Sequence, residues 1–242
     1  AFLDSELTEE IARQNWEDLG LDKEGRAFGK KLYEAGLLGW SWPVEYGGKG
    51  LSPVYDFILI DELGKRWSAH VPNDVAYTMV GHTILRRGSD AMKKEFIPRI
   101  VRGEIEFGLG YTEPEAGSDL ANMKMTAIDQ GDYYLVNGQK TFNTESHYAD
   151  YHWLAAKTDL KASPYKGISL FIVDQHGPGI TIRPMITMSG ERTNEVFYDD
   201  VKVPKNRLVG EVNKGFYYMM EALMSERNYV FTPSRYYPYL NM

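Results

Sequence analysis

The chain has 242 residues, no cysteine, and a formal net charge of −7 from 34 acidic and 27 basic side chains. That length supports one large or two small domains with real cores, and the lack of thiols removes disulfides and cysteine chemistry. Acids and bases are mixed along the chain, which argues against nucleic acid or an anionic membrane as partner, and no apolar run approaches the ~20 residues that span a bilayer. The opening Ala1-Phe2-Leu3-Asp4-Ser5-Glu6 lacks the basic and apolar regions of a signal peptide, and with no initiator Met a trimmed start is expected.

The first hundred residues carry helical periodicity. A helix is expected over 8–19, opened by Thr8 and Glu9-Glu10 and carrying Ile11, Trp16 and Leu19. A second over 23–38 groups Phe28, Leu32, Tyr33 and Leu37 and stops at Gly39. Residues 40–53 form a glycine- and proline-rich loop, and helices follow at 53–68, 72–88 and 89–102, the last ended by Gly103. The period then changes to alternation. Strands are expected at 123–128, 133–136, 153–156, 168–173, 180–183 and 195–198, with Asp129-Gln130-Gly131-Asp132 as a hairpin turn. This is the pattern of a β-barrel or sandwich. Helical spacing returns from Phe216 with Met219, Met220, Leu223 and Met224, so the fold class is α+β.

Two segments carry the chemistry. In Tyr111-Thr112-Glu113-Pro114-Glu115-Ala116-Gly117-Ser118-Asp119, Pro114 fixes its own φ and pushes Glu113 towards an extended conformation. Gly117 can take a positive φ and Ser118 offers an N–H and a hydroxyl, a turn suited to phosphate oxygens. Glu113 and Glu115 read as surface turn residues, and Asp119 as part of a helix cap or turn. Gln139-Lys140-Thr141-Phe142-Asn143-Thr144 closes a hairpin-like strand, with Phe142 and Thr144 two residues apart on one face. An aromatic to stack on a ring system and hydroxyls to meet its polar edge point to a large planar, phosphate-bearing cofactor.

Further along, Met219, Ala222 and Glu226 fall on one helical face. An acid on an apolar stripe is desolvated, and its raised pKa suits a base near neutrality; the alternative is an exposed Glu paired with a neighbour. The five histidines show no metal-ligand spacing, so no metal is expected. Gly47-Gly48-Lys49-Gly50 lacks the strand–loop–helix setting of a phosphate loop.

The stretch Gly108-Leu109-Gly110 followed by Tyr111 to Asp119 closely resembles the flavin-contacting signature of acyl-CoA dehydrogenases. Five colinear blocks extend the resemblance over almost the whole chain: Trp42 to Gly50, Ile97 to Glu104, Val136 to Lys140, Phe197 to Pro204 and Met224 to Arg227. The resemblance implies an N-terminal helical domain (1–104), a flavin-binding β-barrel middle domain (105–211) and the start of a C-terminal helical domain (212–242), truncated or incomplete. It also implies that Gly47-Gly48-Lys49-Gly50 shapes the acyl pocket.

It implies FAD as cofactor, with Thr112 donating to the pyrimidine edge of the isoalloxazine and the backbones of Leu109 and Tyr111 beside it. Phe142 stands where members carry an aromatic against the ring, and Asn143 and Thr144 follow it, the latter near N5. Gly117 and Ser118 are expected at phosphate or the pantetheine arm. Glu226 matches the catalytic carboxylate of part of the family, most members taking theirs from a later segment, and Arg227 matches a family arginine at the active-site wall. Glu145-Ser146-His147 departs from the small residues usual there; its side chains either meet a polar acyl group or face solvent.

The implied activity is α,β-dehydrogenation of an acyl-CoA to the trans-2-enoyl-CoA, with electrons passed to an electron-transferring flavoprotein in a homo- or hetero-oligomer. The implied place is the bacterial cytoplasm or, in a eukaryote, the mitochondrial matrix. Same-fold flavin oxidases or monooxygenases, and a non-catalytic subunit, are the alternatives. Glu191-Arg192-Thr193-Asn194-Glu195-Val196 resembles a bacterial subgroup that includes enzymes of steroid side chains, cyclic acids and dicarboxylic acyl-CoAs.

Overall fold

The computed structural model describes residues 2–11, 23–66, 73–188, 190 and 192–230; the side chains at 23, 24 and 226–230 lie outside the description. The chain divides into two compact units. One holds Ala1–His82, Lys94–Glu106 and Met224–Met242, the other Thr83–Lys93 and Phe107–Leu223.

The first unit is helical: α1 (Phe2–Glu6), α2 (Lys23–Glu34), α3 (Val54–Gly64) and a π-helical turn at Ala76–Val80 that runs into α4 (Gly81–Arg87), of which only Gly81 and His82 belong to this unit. It also takes most of α5 (Asp90–Val101). On α2, Phe28 and Leu32 are one turn apart and both buried. The expected 8–19 helix is described only to Ile11, and its remainder lies outside the described residues.

The loop after α2 is organised by α3. Asp56 on α3 is buried and accepts from the backbone N–H of Ser41 (3.0 Å) and from the Tyr77 hydroxyl (2.8 Å). Trp42 is buried against the rings of Tyr77 and His82, at centroid distances of 5.1 and 4.9 Å. A Cβ at Gly48 would come within 2.2 Å of the Trp42 carbonyl oxygen, so only glycine lets the two backbones approach there. Lys49 extends over the Trp40 ring and donates to the Gly36 carbonyl. Within its own unit, then, the glycine run packs on tryptophans.

The second unit, which also holds Thr83–Lys93 and the first part of the last helix, is built on one curled sheet of seven strands: β1 (Phe107–Gly110), β2 (Thr126–Asp129), β3 (Tyr133–Lys140), β4 (Tyr151–Lys157), β5 (Ile168–Asp174), β6 (Ile180–Ile186) and β7 (Arg192–Pro204). Its order is β1-β4-β2-β3-β7-β6, with β5 pairing β4. All six expected strands are present, several longer than expected. β7 runs 13 residues because alternation persists through Val201 and Val203, which are buried, and Asp200 and Lys202, which are exposed. β2 starts three residues later than expected. Tyr134, Val136, Leu154, Phe171, Val196 and Tyr198 form the centre of the core.

α6 (Gly215–Val230) follows the sheet. Residues 231–242 of the expected C-terminal segment lie outside the described residues. No helix among the described residues is long and apolar enough to cross a membrane.

Candidate functional site

Three segments meet where β1 and β3 end and β7 begins. Beyond β1 the chain enters the 111–119 turn, in which Glu113 and Ala116 exchange backbone hydrogen bonds of 3.0 and 3.1 Å. Beyond β3 it enters the 141–146 bend, whose Thr141 N–H donates to the Thr112 carbonyl (2.9 Å). Asn143 then locks both neighbours. Its amide donates to the Leu109 carbonyl (2.6 Å), its backbone N–H to the Asn194 carbonyl (2.9 Å), and its own carbonyl accepts from the Asn194 amide (2.9 Å). Leu109, Tyr111, Thr112 and Asn143 are thereby brought together.

Exposure divides the expected contact residues. Tyr111 and Asn143 are buried; the Tyr111 hydroxyl accepts from the indole N–H of Trp153 (2.9 Å). Leu109 and Thr112 are half-buried, while Gly117, Ser118, Phe142 and Thr144 are exposed. Gly117 does not adopt the positive φ its sequence allowed. What it does is leave room: a Cβ there would meet only the Thr112 methyl, at 4.0 Å.

The strand-face expectation for Phe142 and Thr144 is overturned. β3 stops at Lys140, and Phe142 sits in a bend with φ +55. Glu145, three residues on, has φ +68. Left-handed conformations in bulky residues cost about 1–3 kcal/mol each and cluster at ligand-binding sites. The Phe142 ring is 62% exposed, so a large apolar face is held towards solvent at a conformational cost.

Two further expectations need correction. Glu113 is no surface residue: it is 6% exposed, and its carboxylate accepts from the N–H groups of Lys124 (2.5 Å) and Met125 (3.0 Å) and from Lys140 Nζ (2.9 Å). Those two N–H groups are what an earlier start of β2 would have needed. Glu115 is exposed as expected and pairs with Lys124. Nor do Glu145 and Ser146 face solvent; both are buried, and Ser146 Oγ lies 3.4 Å from His152 Nε2.

Sequence reasoning passed over Lys140, His152 and Asn194. Lys140 falls on the same face of β3 as Tyr134 and Val136, and an ammonium on a core face needs buried partners. That signal was available. Burial lowers its pKa to about 8, with the Glu113 carboxylate opposing. His152 has its Nδ1 against the Tyr198 hydroxyl, and burial, then the Lys140 charge, lowers its pKa to about 3. Asn194 also contacts His147 Nδ1 (3.1 Å) and accepts from Arg192 Nε (3.0 Å).

Chemically, the site offers an exposed aromatic face at Phe142, a half-buried Thr112 with its hydroxyl, and a buried Asn143 Oδ1 that has no hydrogen-bond partner among the described residues. That set fits a planar ring with a polar edge. Glu226 and Arg227 lie in the last turns of α6, where the side chains are outside the described residues. Among the described residues no group of His, Cys, Asp or Glu is placed to hold a metal ion.

A family model described as the acyl-CoA dehydrogenase middle domain matches residues 108–201, and one described as the N-terminal domain matches residues 1–104. The chain belongs to the acyl-CoA dehydrogenase family. Members of this family are flavoprotein oxidoreductases that use FAD. Acyl-CoA dehydrogenase FadE29 of Mycobacterium tuberculosis is 45% identical over 204 residues, covering 84% of this chain and 52% of that protein. A solved structure named as the Tcur3481-Tcur3483 steroid ACAD is 34% identical with a TM-score of 0.87, over 97% of this chain and 61% of that one. The ChsE4-ChsE5 complex of M. tuberculosis is 37% identical with a TM-score of 0.81, over 93% of this chain and 57% of that one. The chain spans about half the length of the curated relatives it matches.

Proposed function

We propose that this chain forms the helical and flavin-holding part of an acyl-CoA dehydrogenase, with FAD bound noncovalently against the 111–118 turn and the 142–144 bend. The observation that carries the reading is Phe142, an exposed ring held at positive φ beside the Thr112 turn. Its face would pack on the isoalloxazine, Thr112 would donate to the pyrimidine edge, Leu109, Tyr111 and Asn143 would support that edge, and Thr144 would lie near N5. Gly117 and Ser118, both exposed, would meet phosphate or the pantetheine arm. The flavin, when bound, supplies the hydride acceptor for oxidation of the acyl Cα–Cβ bond.

Glu226 is proposed as the base that takes the α-proton and Arg227 as a residue of the acyl-CoA pocket, both on the sequence resemblance. The division into domains at 1–104, 105–211 and 212–242 belongs to the same proposal, as does electron transfer to an electron-transferring flavoprotein. Similarity to chains named as a steroid ACAD supports a steroid-derived or otherwise cyclic acyl group. Those structures carry two component names, as does the ChsE4-ChsE5 complex, and this supports assembly with a second, related chain.

The test is anaerobic mixing of the flavin-loaded protein with a panel of acyl-CoAs. Bleaching of the flavin by cyclic or side-chain acyl-CoAs is expected, with Glu226→Gln reducing the rate by ~10²–10⁴ while FAD binding survives. A protein that takes up no FAD overturns the reading. Near-wild-type bleaching in Glu226→Gln moves the base to another residue.

A further inference from the structure

We propose that Glu113 and Lys140 are positioning residues, a buried ion pair that sets the backbone of Tyr111 and Thr112 in its flavin-receiving geometry before any flavin arrives. The inference rests on the flavin reading above and deepens it.

The pair is closed on all sides. Lys140 Nζ is fully buried and donates to Glu113 Oε1 (2.9 Å) and the Tyr111 carbonyl (3.1 Å), with Met123 Sδ at 3.8 Å as its third neighbour. Glu113 uses both carboxylate oxygens, receiving the N–H groups of Lys124 and Met125 as well as the ammonium. Tyr111, Thr112 and Glu113 are thus fastened one after another: a carbonyl on Lys140, a carbonyl on the Thr141 N–H, and a carboxylate on Lys124, Met125 and Lys140.

Burying two charges gains little stability by itself, because desolvation offsets most of the attraction. What such a pair supplies is a single arrangement. Only one placement of the Tyr111 carbonyl satisfies the buried ammonium, and Thr112 is the next residue. Its side chain is half-buried while both flanking residues are buried. The fastening uses the Tyr111 and Thr112 carbonyls and the Glu113 carboxylate, and leaves Thr112 partly exposed.

The experiment has two arms. Hydrogen exchange on the flavin-free protein should find the amides of Lys124, Met125 and Thr141 already slow, with little further slowing on FAD addition. Fast exchange of these amides in the flavin-free protein would overturn the proposal. This arm needs no variant and does not depend on how the flavin reading fares.

The second arm is the double variant Glu113→Leu/Lys140→Met, which removes both charges while keeping apolar bulk, a change that buried pairs often tolerate. The folded variant is expected to bind FAD about tenfold more weakly or worse and to show a shifted flavin midpoint potential, as loss of one well-placed donor implies. A folded variant with wild-type FAD affinity and potential would overturn the proposal. A wild-type protein that takes up no FAD would overturn the flavin reading separately, and with it the receiving role of the turn.

Discussion

Acid should weaken the β unit through one side chain, His152. The imidazole is fully buried, its Nδ1 against the Tyr198 hydroxyl and its Nε2 3.4 Å from Ser146 Oγ. Burial and then the nearby Lys140 charge lower its pKa from 6.5 to about 3. An unfolded chain takes up a proton near pH 6.5 while the folded one refuses it until about pH 3. Between those values the unfolded state holds more protons, and stability falls as pH falls. At one pKa unit per ~1.4 kcal/mol, lowering the pH from about 7.5 to about 4 costs about 3 kcal/mol at this site alone. A loss of that size is a large fraction of the ~5–15 kcal/mol that holds a domain folded. The assay is urea denaturation followed by tryptophan fluorescence across that pH range, for wild type and for His152→Gln, which keeps hydrogen-bonding capacity and cannot titrate. The variant should start less stable and lose less on acidification, so that the two curves converge. Parallel loss in both proteins would refute a neutral, buried imidazole as the origin.

Two tightly packed contacts in the same unit have direct consequences for stability. Gly110→Ala would bring a Cβ to 2.8 Å from both His152 Cε1 and Leu154 Cδ1, two fully buried side chains, and should destabilise the protein by about 1–3 kcal/mol; an unchanged denaturation midpoint would count against that packing. Tyr111→Phe removes the acceptor for the buried Trp153 indole N–H and should cost about 1–3 kcal/mol, read as a lower midpoint together with a changed Trp fluorescence.

The loop after α2 illustrates how far a local pattern reaches. Gly47-Gly48-Lys49-Gly50 marks a turn in any reading, yet what it serves is packing on tryptophans: Trp42 needs Gly48 to be bare, and Lys49 extends over Trp40. The partner that makes Trp42 a core residue, Tyr77, lies 35 positions further along the chain. Its hydroxyl is held by Asp56, and nothing in the intervening periodicity announces that contact.

Features that depend on near neighbours are legible in the chain before it folds. Helical spacing at Phe28 and Leu32, alternation through β7 and the hairpin at Asp129-Gln130-Gly131-Asp132 are local, since propensity and period act within a few residues. The two segments of the candidate site were legible for the same reason, one as a turn and the other as an aromatic followed by a hydroxyl. Tertiary structure alone decided that Phe142 leaves the strand at positive φ, because β3 ends where Asn143 is captured by Leu109 and Asn194. It alone turned Glu113 inward as well. A glutamate beside a proline reads as surface until a lysine 27 positions away arrives on the core face of another strand, and a buried ammonium then accepts no other kind of partner as readily.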